Sequence, residues 1–311
     1  MELNSNTLIL HQYEISPFSE KVRVVLGMKN LQWHACNQPI MMPKPEMVAL
    51  TGGYRCIPIL QIGADLYFDS LFIIEELERR YPLRSVFSVQ GKGLTWALSH
   101  WSDDAFFYSL VTILFASNDW DYDEAFLSDR SDLLGRPFDE NAMSDAMPQA
   151  KANLRMSLQW LENQFSDGRR YLLGNKSEAI DAAAYFPLFF ISTGKGASKI
   201  ILKDYPLVCR WIERIKAIGY GVRLEDITGQ QALNVASAAA LVPLASDTVI
   251  YRDFIVGEKV LVHYHDANTP KLVAVLLQAD FLSFTVRPVA ESISHLHVHM
   301  PHTIATLEKA S

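Results

Sequence analysis

Leu8-Ile9-Leu10, then Ser16-Pro17-Phe18-Ser19, then Val22-Arg23-Val24-Val25-Leu26: the reading of the chain turns on this stretch. A short continuous apolar run is the pattern of a strand covered on both faces. An amphipathic run follows, and between the two stands an exposed turn that starts a helix. Ser19 is expected to cap that helix, and Glu20 suits its first turn. A hydroxyl at such a turn sits where helix amides and the helix dipole favour an anion.

Working outward, Gln32-Trp33-His34-Ala35-Cys36 reads as a second strand, and Pro39, Pro43 and Pro45 break regular structure after it. Ile59 to Ile62 and Leu66 to Phe68 read as a hairpin around a three-residue loop, Gly63-Ala64-Asp65. Leu71, Ile73, Ile74 and Leu77 form a helical stripe that stops before Pro82. A βαβ unit followed by a ββα unit is a thioredoxin-like layout, assigned to residues 1–84. From Leu94 to Ile218 the period becomes helical, as in Trp96, His100, Phe107 and Leu110, in Leu154, Leu158, Leu161 and Phe165, and in Leu207, Trp211 and Ile215. Ile180 to Ile191 is nearly all apolar and reads as a central buried helix. These residues define an all-α region over 90–222. Residues 225–311 form an extension. Its Ala- and Ser-rich start, to about residue 245, reads as a helix or linker. Four short alternating segments follow, at Lys259–His265, Leu272–Gln278, Leu282–Arg287 and His295–Met300, and suggest a small barrel-like β-domain.

With 311 residues the chain is long enough for two or three domains with sizeable cores. A formal net charge of -7 argues against a nucleic-acid backbone or an anionic membrane as the main partner. No apolar run is long enough to span a bilayer. The start of the chain lacks a basic segment followed by an apolar core, so no signal peptide is expected. Cys36, Cys56 and Cys209 form no Cys-x-x-Cys pair. A sparse, odd set of thiols suits a reducing cytoplasm and argues against dithiol redox chemistry.

Three motifs at this spacing, Ser16-Pro17-Phe18-x-x-Lys21-Val22-Arg23, Ile57-Pro58 and Asp69-Ser70, resemble the cytosolic glutathione S-transferases. The resemblance covers roughly residues 7 to 220. Its first motif resembles the serine type, as in plant tau-class enzymes, whereas omega-like classes place a cysteine before the same Pro-Phe. It implies that glutathione is the co-substrate, with Phe18 in its site, and that Ser16 donates a hydrogen bond to the glutathione sulfur. Pro58 would be cis and Ile57 would pair, strand-like, with the cysteinyl backbone. Asp69 would hold the γ-glutamyl ammonium, and Ser70 with the helix amides its carboxylate. The second substrate would be a small apolar electrophile, and a homodimer is the family expectation.

The chain departs from that pattern in four places. Cys56 stands where a lysine often faces the glycyl carboxylate, with Arg55 one residue earlier. Asp69 replaces a longer glutamate. Ser177 is one residue out of register for the Ser/Thr-x-x-Asp cap of the core helix, so that cap is expected to be remodelled. Residues 225–311 have no counterpart in the usual two-domain family. These departures keep a second reading open, a non-catalytic binding protein that uses the helical pocket or the extension. A cysteine-type thiol reductase is disfavoured because Ser16 occupies the cysteine position.

Other residues compete for roles. Tyr13, at the end of the first strand, is the second choice for the activating hydroxyl. Cys56 reads as a small buried strand residue rather than a nucleophile. His295, His297 and His299 alternate along a strand and would share one face. Such histidines can bind zinc or copper, but the favoured reading is the solvent-facing side of a half-buried sheet, and no metal is assigned. Asp119-Trp120-Asp121-Tyr122-Asp123-Glu124 lacks the glycine and the glutamate of a calcium loop. Trp96, Trp101, Phe106, Phe107, Tyr108 and Phe115 read mainly as core, some of them lining an apolar pocket beside Ser16.

Overall fold

The computed structural model describes residues 3–89, 91–196, 198–241, 244, 253–266 and 268–310. Its first part runs β1 (Leu8–Gln12), α1 (Pro17–Lys29), β2 (Gln32–Asn37), α2 (Pro45–Thr51), β3 (Ile59–Ile62), β4 (Asp65–Phe68) and α3 (Ser70–Arg80). β1 pairs parallel to β2 and antiparallel to β3, which pairs antiparallel to β4. The expected thioredoxin-like layout is present. The hairpin is tighter than expected, because Ile62 pairs with Asp65 and leaves a two-residue turn, Gly63-Ala64. Gly63 has φ +60, and a Cβ there would meet the Ser5 carbonyl oxygen at 2.8 Å, so the turn needs glycine.

The helical region contains α4 (Gly91–Trp101), α5 (Phe107–Ala116), α6 (Glu124–Leu134), α7 (Glu140–Gln164), α8 (Ala179–Thr193) and α9 (Pro206–Ile218). The long helix expected through Trp96 and Leu110 is broken by a π turn over Ser102–Phe106. α8 packs against α1, α4 and α9 and is nearly all buried, as its composition implies. Its start is indeed remodelled. Glu178, not Ser177, is the N-cap, and Asp181 reaches back to accept from Glu178 N at 2.9 Å. Asp181 also accepts from Leu172 N and Trp211 Nε1, each at 2.9 Å. Burial pushes the Asp181 carboxyl up to about 6, against these donors.

The extension begins with β5 (Val222–Arg223) and α10 (Gly229–Ala238) and continues with β6 (Lys259–Tyr264), β7 (Leu272–Ala279), β8 (Ser283–Pro288), β9 (His297–Pro301) and β10 (Ala305–Lys309). Residues 242, 243 and 245–252, within and just beyond the expected linker, lie outside the described residues. Where a flexible linker was one expectation, Ala232, Val235 and Ala236 of α10 are buried, the first two against Ile9 and Cys36. The strands do not stand apart as a barrel. β9 pairs parallel to β4, and one sheet runs β10-β6-β7-β8-β9-β4-β3-β1-β2-β5. Leu66 and Phe68 of β4 and Met47 and Leu50 of α2 share a core with Val260, Val286, Val298 and Met300. The extension therefore covers an edge and a face that β4 would otherwise expose. No described helix is long and apolar enough to cross a membrane.

Candidate active site

Ser16 is the N-cap of α1, and its Oγ accepts from Ser19 N at 3.1 Å. Ser19 was expected to be the cap. The helix starts earlier because Pro17, whose fixed φ suits the first helical position, follows Ser16 directly. With its oxygen engaged by an amide, the Ser16 hydroxyl keeps its proton for donation. Tyr13 is its neighbour, accepting from Ser16 N at its carbonyl oxygen at 3.0 Å, and its phenol feels the charge of Arg130. Burial raises the Tyr13 pKa despite Arg130, so the phenol stays protonated and is a second donor at the same spot. Glu20 is bonded to Arg23 at 2.9 Å and to the Tyr220 hydroxyl at 3.0 Å.

The Ile57–Pro58 bond is cis. Among the described residues, no turn or loop hydrogen bond uses the Ile57 N–H or C=O. Asp69 lies between β4 and α3 with φ 75 and ψ 132 and caps α3. A non-glycine residue there carries strain of about 1–3 kcal/mol, which is concentrated at functional positions. Its Oδ1 accepts from Leu71 N at 2.9 Å and from Phe72 N at 3.0 Å. Burial raises the Asp69 pKa, and the buried Lys21 opposes the shift. Lys21 itself is paired with Asp103 at 2.5 Å. Ser70 is buried at the first position of α3.

A cavity of about 260 Å³ opens beside these residues. Ser16, Phe18 and Ile57 line it, together with Tyr13, whereas Pro58, Asp69 and Ser70 do not. Its apolar wall is aromatic, with Phe107, Tyr108, Phe115, Trp120, Phe126 and Phe190. Phe18 anchors the wall, its ring centroid 5.0 Å from Phe107 and 4.9 Å from Phe186. The expectation of an apolar pocket beside Ser16 holds for Phe107, Tyr108 and Phe115. Phe106 is core, stacked on Trp101 at 4.7 Å.

Three cations also line the cavity, and the motif reading missed two of them, Lys44 and Arg130. Arg55 is tied to Asp129. Arg130 donates to Ile40 O at 2.8 Å and to Asp129 Oδ2 at 2.6 Å, while its Nε is buried without a partner. Lys44 Nζ donates to Arg55 O at 3.2 Å, and burial pulls its pKa down to about 8. No local motif marks Lys44 or Arg130, because the loop before α2 and the helix α6 meet only in the folded chain. Cys56 lies before β3 rather than in a strand. Burial and Asp266, whose Oδ2 is 3.6 Å from Sγ, push its thiol up to about 12. Such a thiol stays protonated and is a poor nucleophile.

The histidines of the extension correct the expected solvent-facing row. β9 starts at His297, and His295 precedes it. His297 and His299 are buried beside Asp65 of β4, with His299 Nε2 2.8 Å and His297 Nδ1 3.4 Å from Asp65 Oδ1. His263 instead pairs with Glu308, and His265 with Thr303 O.

A thioredoxin-like domain followed by a helical domain is the architecture of the transferase-like folds. Residues 10–85 match the glutathione S-transferase N-terminal domain, and residues 112–221 match a domain of unknown function, DUF7962. No curated protein matches the chain. Among solved structures, a GST-like protein from Pseudomonas syringae is 28% identical, with TM-score 0.81, covering 98% of this chain and 100% of its own. That likeness therefore includes the extension. A glutathione S-transferase from Rhodospirillum rubrum is 22% identical over 68% of this chain and 88% of its own, with TM-score 0.53. A tau-class glutathione S-transferase from mango is 16% identical over 74% and 96%, with TM-score 0.50. Residues 10–85 are thus similar to a glutathione S-transferase N-terminal domain, and the whole chain is similar to a GST-like protein.

Proposed function

We propose that this protein is a glutathione-dependent transferase in which Ser16 stabilises the glutathione thiolate for attack on an apolar, aromatic-compatible electrophile. The observation that carries this reading is the helix-capping Ser16 hydroxyl in the wall of an aromatic cavity. A free thiol has a pKa of about 8.5, and only the thiolate attacks well. A donor to the charged sulfur lowers that value, each unit being worth about 1.4 kcal/mol. Tyr13 supports Ser16 as a second donor, and Arg130 adds positive charge.

Ile57, with its unused backbone groups, suits the cysteinyl part of glutathione. Asp69 keeps Oδ2 for the γ-glutamyl ammonium, and Ser70 suits its carboxylate. Lys44, which lines the cavity and donates to Arg55 O, takes the role that Cys56 cannot and faces the glycyl carboxylate. The electrophile then lies against Phe107, Phe115 and Phe190. Glutathione is thus the co-substrate, and a second copy of the chain the expected partner. The exposed apolar groove of Leu94, Trp101 and Trp160 suits such pairing.

Calorimetric titration of reduced glutathione into the wild-type protein tests the reading. One site per chain, with micromolar to millimolar affinity, supports it. No heat at millimolar glutathione, with an unchanged melting temperature, overturns it in favour of a non-catalytic binding protein.

A further inference from the structure

Away from the cavity, the seam between β4 and β9 holds a cluster that glutathione chemistry does not use. β4 and β9 run parallel with Asp65 opposite His297 and Tyr67 opposite His299. Side chains alternate across a strand, so Leu66, Val298 and Met300 enter the apolar core on one face. Asp65, His297 and His299 meet on the other, each less than 9% exposed. One ligand atom from each lies within 4.8 Å of the other two.

We propose that Asp65, His297 and His299 form a divalent transition-metal site, of zinc type, that clamps the C-terminal extension onto the thioredoxin-like sheet. Two imidazoles and one carboxylate are a donor set that suits zinc and its first-row neighbours. Zinc–ligand lengths of about 2.1 Å in a tetrahedral site put donors about 3.4 Å apart. Here Asp65 Oδ1 is 2.8 Å from His299 Nε2 and 3.4 Å from His297 Nδ1, so small side-chain rotations reach that spacing.

Two features distinguish this cluster from an ordinary hydrogen-bonded one. Both imidazoles address the same carboxylate oxygen. His299 satisfies it, while His297 Nδ1, buried 3.4 Å from the same oxygen, makes no well-aligned hydrogen bond. A metal ion would use that nitrogen. The outer contacts of His299 are also those of a ligand. Its Nδ1 lies 2.9 Å from Thr285 Oγ1, and its ring stacks on Tyr67 at 4.4 Å. A hydroxyl both donates and accepts. Thr285 can therefore donate to Nδ1 without metal and accept from it when Nε2 is a ligand, the outer support that metal-binding histidines commonly have.

The Tyr67 hydroxyl is held by Arg80 Nη2 at 2.9 Å, which fixes the stacked pair under α3. None of the three residues lines the Ser16 cavity, so the role inferred is structural.

The test is zinc itself, on the full chain. Protein stripped with chelator is titrated with zinc against a chromophoric chelator, and melting temperature is followed in parallel. The expected result is one tight equivalent per chain, a higher melting temperature with zinc, and about tenfold or greater weakening in His297→Gln. Cobalt, used as a visible probe, should give a ligand-field spectrum that His297→Gln loses. Failure of wild-type protein to take up zinc, with no change in melting temperature, overturns the proposal. So does a folded His297→Gln protein that binds zinc as tightly as wild type, because the ion then sits on other histidines. Should His297→Gln not fold, Thr285→Val gives the second reading, and unchanged zinc affinity there, with no wild-type melting shift, counts against the site. None of these readouts depends on glutathione.

Discussion

At Ser16 the local geometry is made by close neighbours: its N–H donates to Tyr13 O at 3.0 Å, Ser19 N donates to its Oγ, and Pro17 sets the helix start. At Asp65 the partner His299 is 234 residues away along the chain. Both places hold polar groups in an apolar frame. One is a cavity wall open to ligand, the other a closed seam between strands of one sheet. The contrast separates two kinds of information. A capped turn is written in adjacent residues, whereas a strand pairing is written in the match of two distant faces.

If the seam is integral to the fold, removing it must cost more than any change at the site. A chain ending at Thr228 would lack α10 and β6 to β10. It would expose Leu66 and Phe68 with the edge of β4, and Ile9 and Cys36 beneath α10. The loss of that core exceeds the total stability of about 5–15 kcal/mol usual for a domain. Thermal unfolding followed by circular dichroism should show no cooperative transition. A fragment that melts cooperatively near the full-length temperature would mean that residues 225–311 are an appendage, and the contrast would collapse.

The thioredoxin-like order and the helical region were legible because periodicity and turn chemistry are local; Ile57-Pro58 and Asp69-Ser70 were marked by the resemblance to glutathione S-transferases rather than by periodicity. The strands at Lys259, Leu272, Leu282 and His295 were also legible as strands. Their partner was not. Nothing in Leu66-Tyr67-Phe68 says that its free edge is taken by His297 to His299 rather than by solvent or another chain. The same blindness hid Lys44 and Arg130, and it made buried His297 and His299 look like a wet row. β10, Ala305–Lys309, was missed because its alternation is short and ends in charge.

At the site, Ser16→Ala should lower kcat/KM for glutathione conjugation about 10²-fold, as removal of one transition-state donor does. Loss of the N-cap adds about 1 kcal/mol of destabilisation, so the thiolate absorbance of bound glutathione, titrated with pH, is the cleaner measurement. Its apparent pKa should rise in Ser16→Ala, and by less in Tyr13→Phe. The reverse order would make Tyr13 the activating hydroxyl and Ser16 chiefly a cap. Either result sharpens the contrast, because both residues belong to the same local turn.

The smallest effect tests a residue that is neither local nor in the seam. Burial lowers the Lys44 pKa to about 8, with Cys56 opposing the shift and Arg130 and Arg55 adding to it. Below that value the ammonium is charged and can hold a glycyl carboxylate. Above it the charge is lost. S-methylglutathione has no thiol to ionise. Its affinity should fall about fivefold, near 1 kcal/mol, as pH rises through 8, by more than in Lys44→Met. Stability should move the opposite way. The folded pKa lies below the unfolded value of about 10.4. Between them the unfolded chain binds more protons, so stability rises with pH from about 8 upward. Lys44→Met should lose that rise. Parallel binding and melting curves in the two proteins decide the matter. A wild-type affinity that falls no faster than that of Lys44→Met would remove Lys44 from the glutathione site and leave its buried charge without a purpose in the cavity.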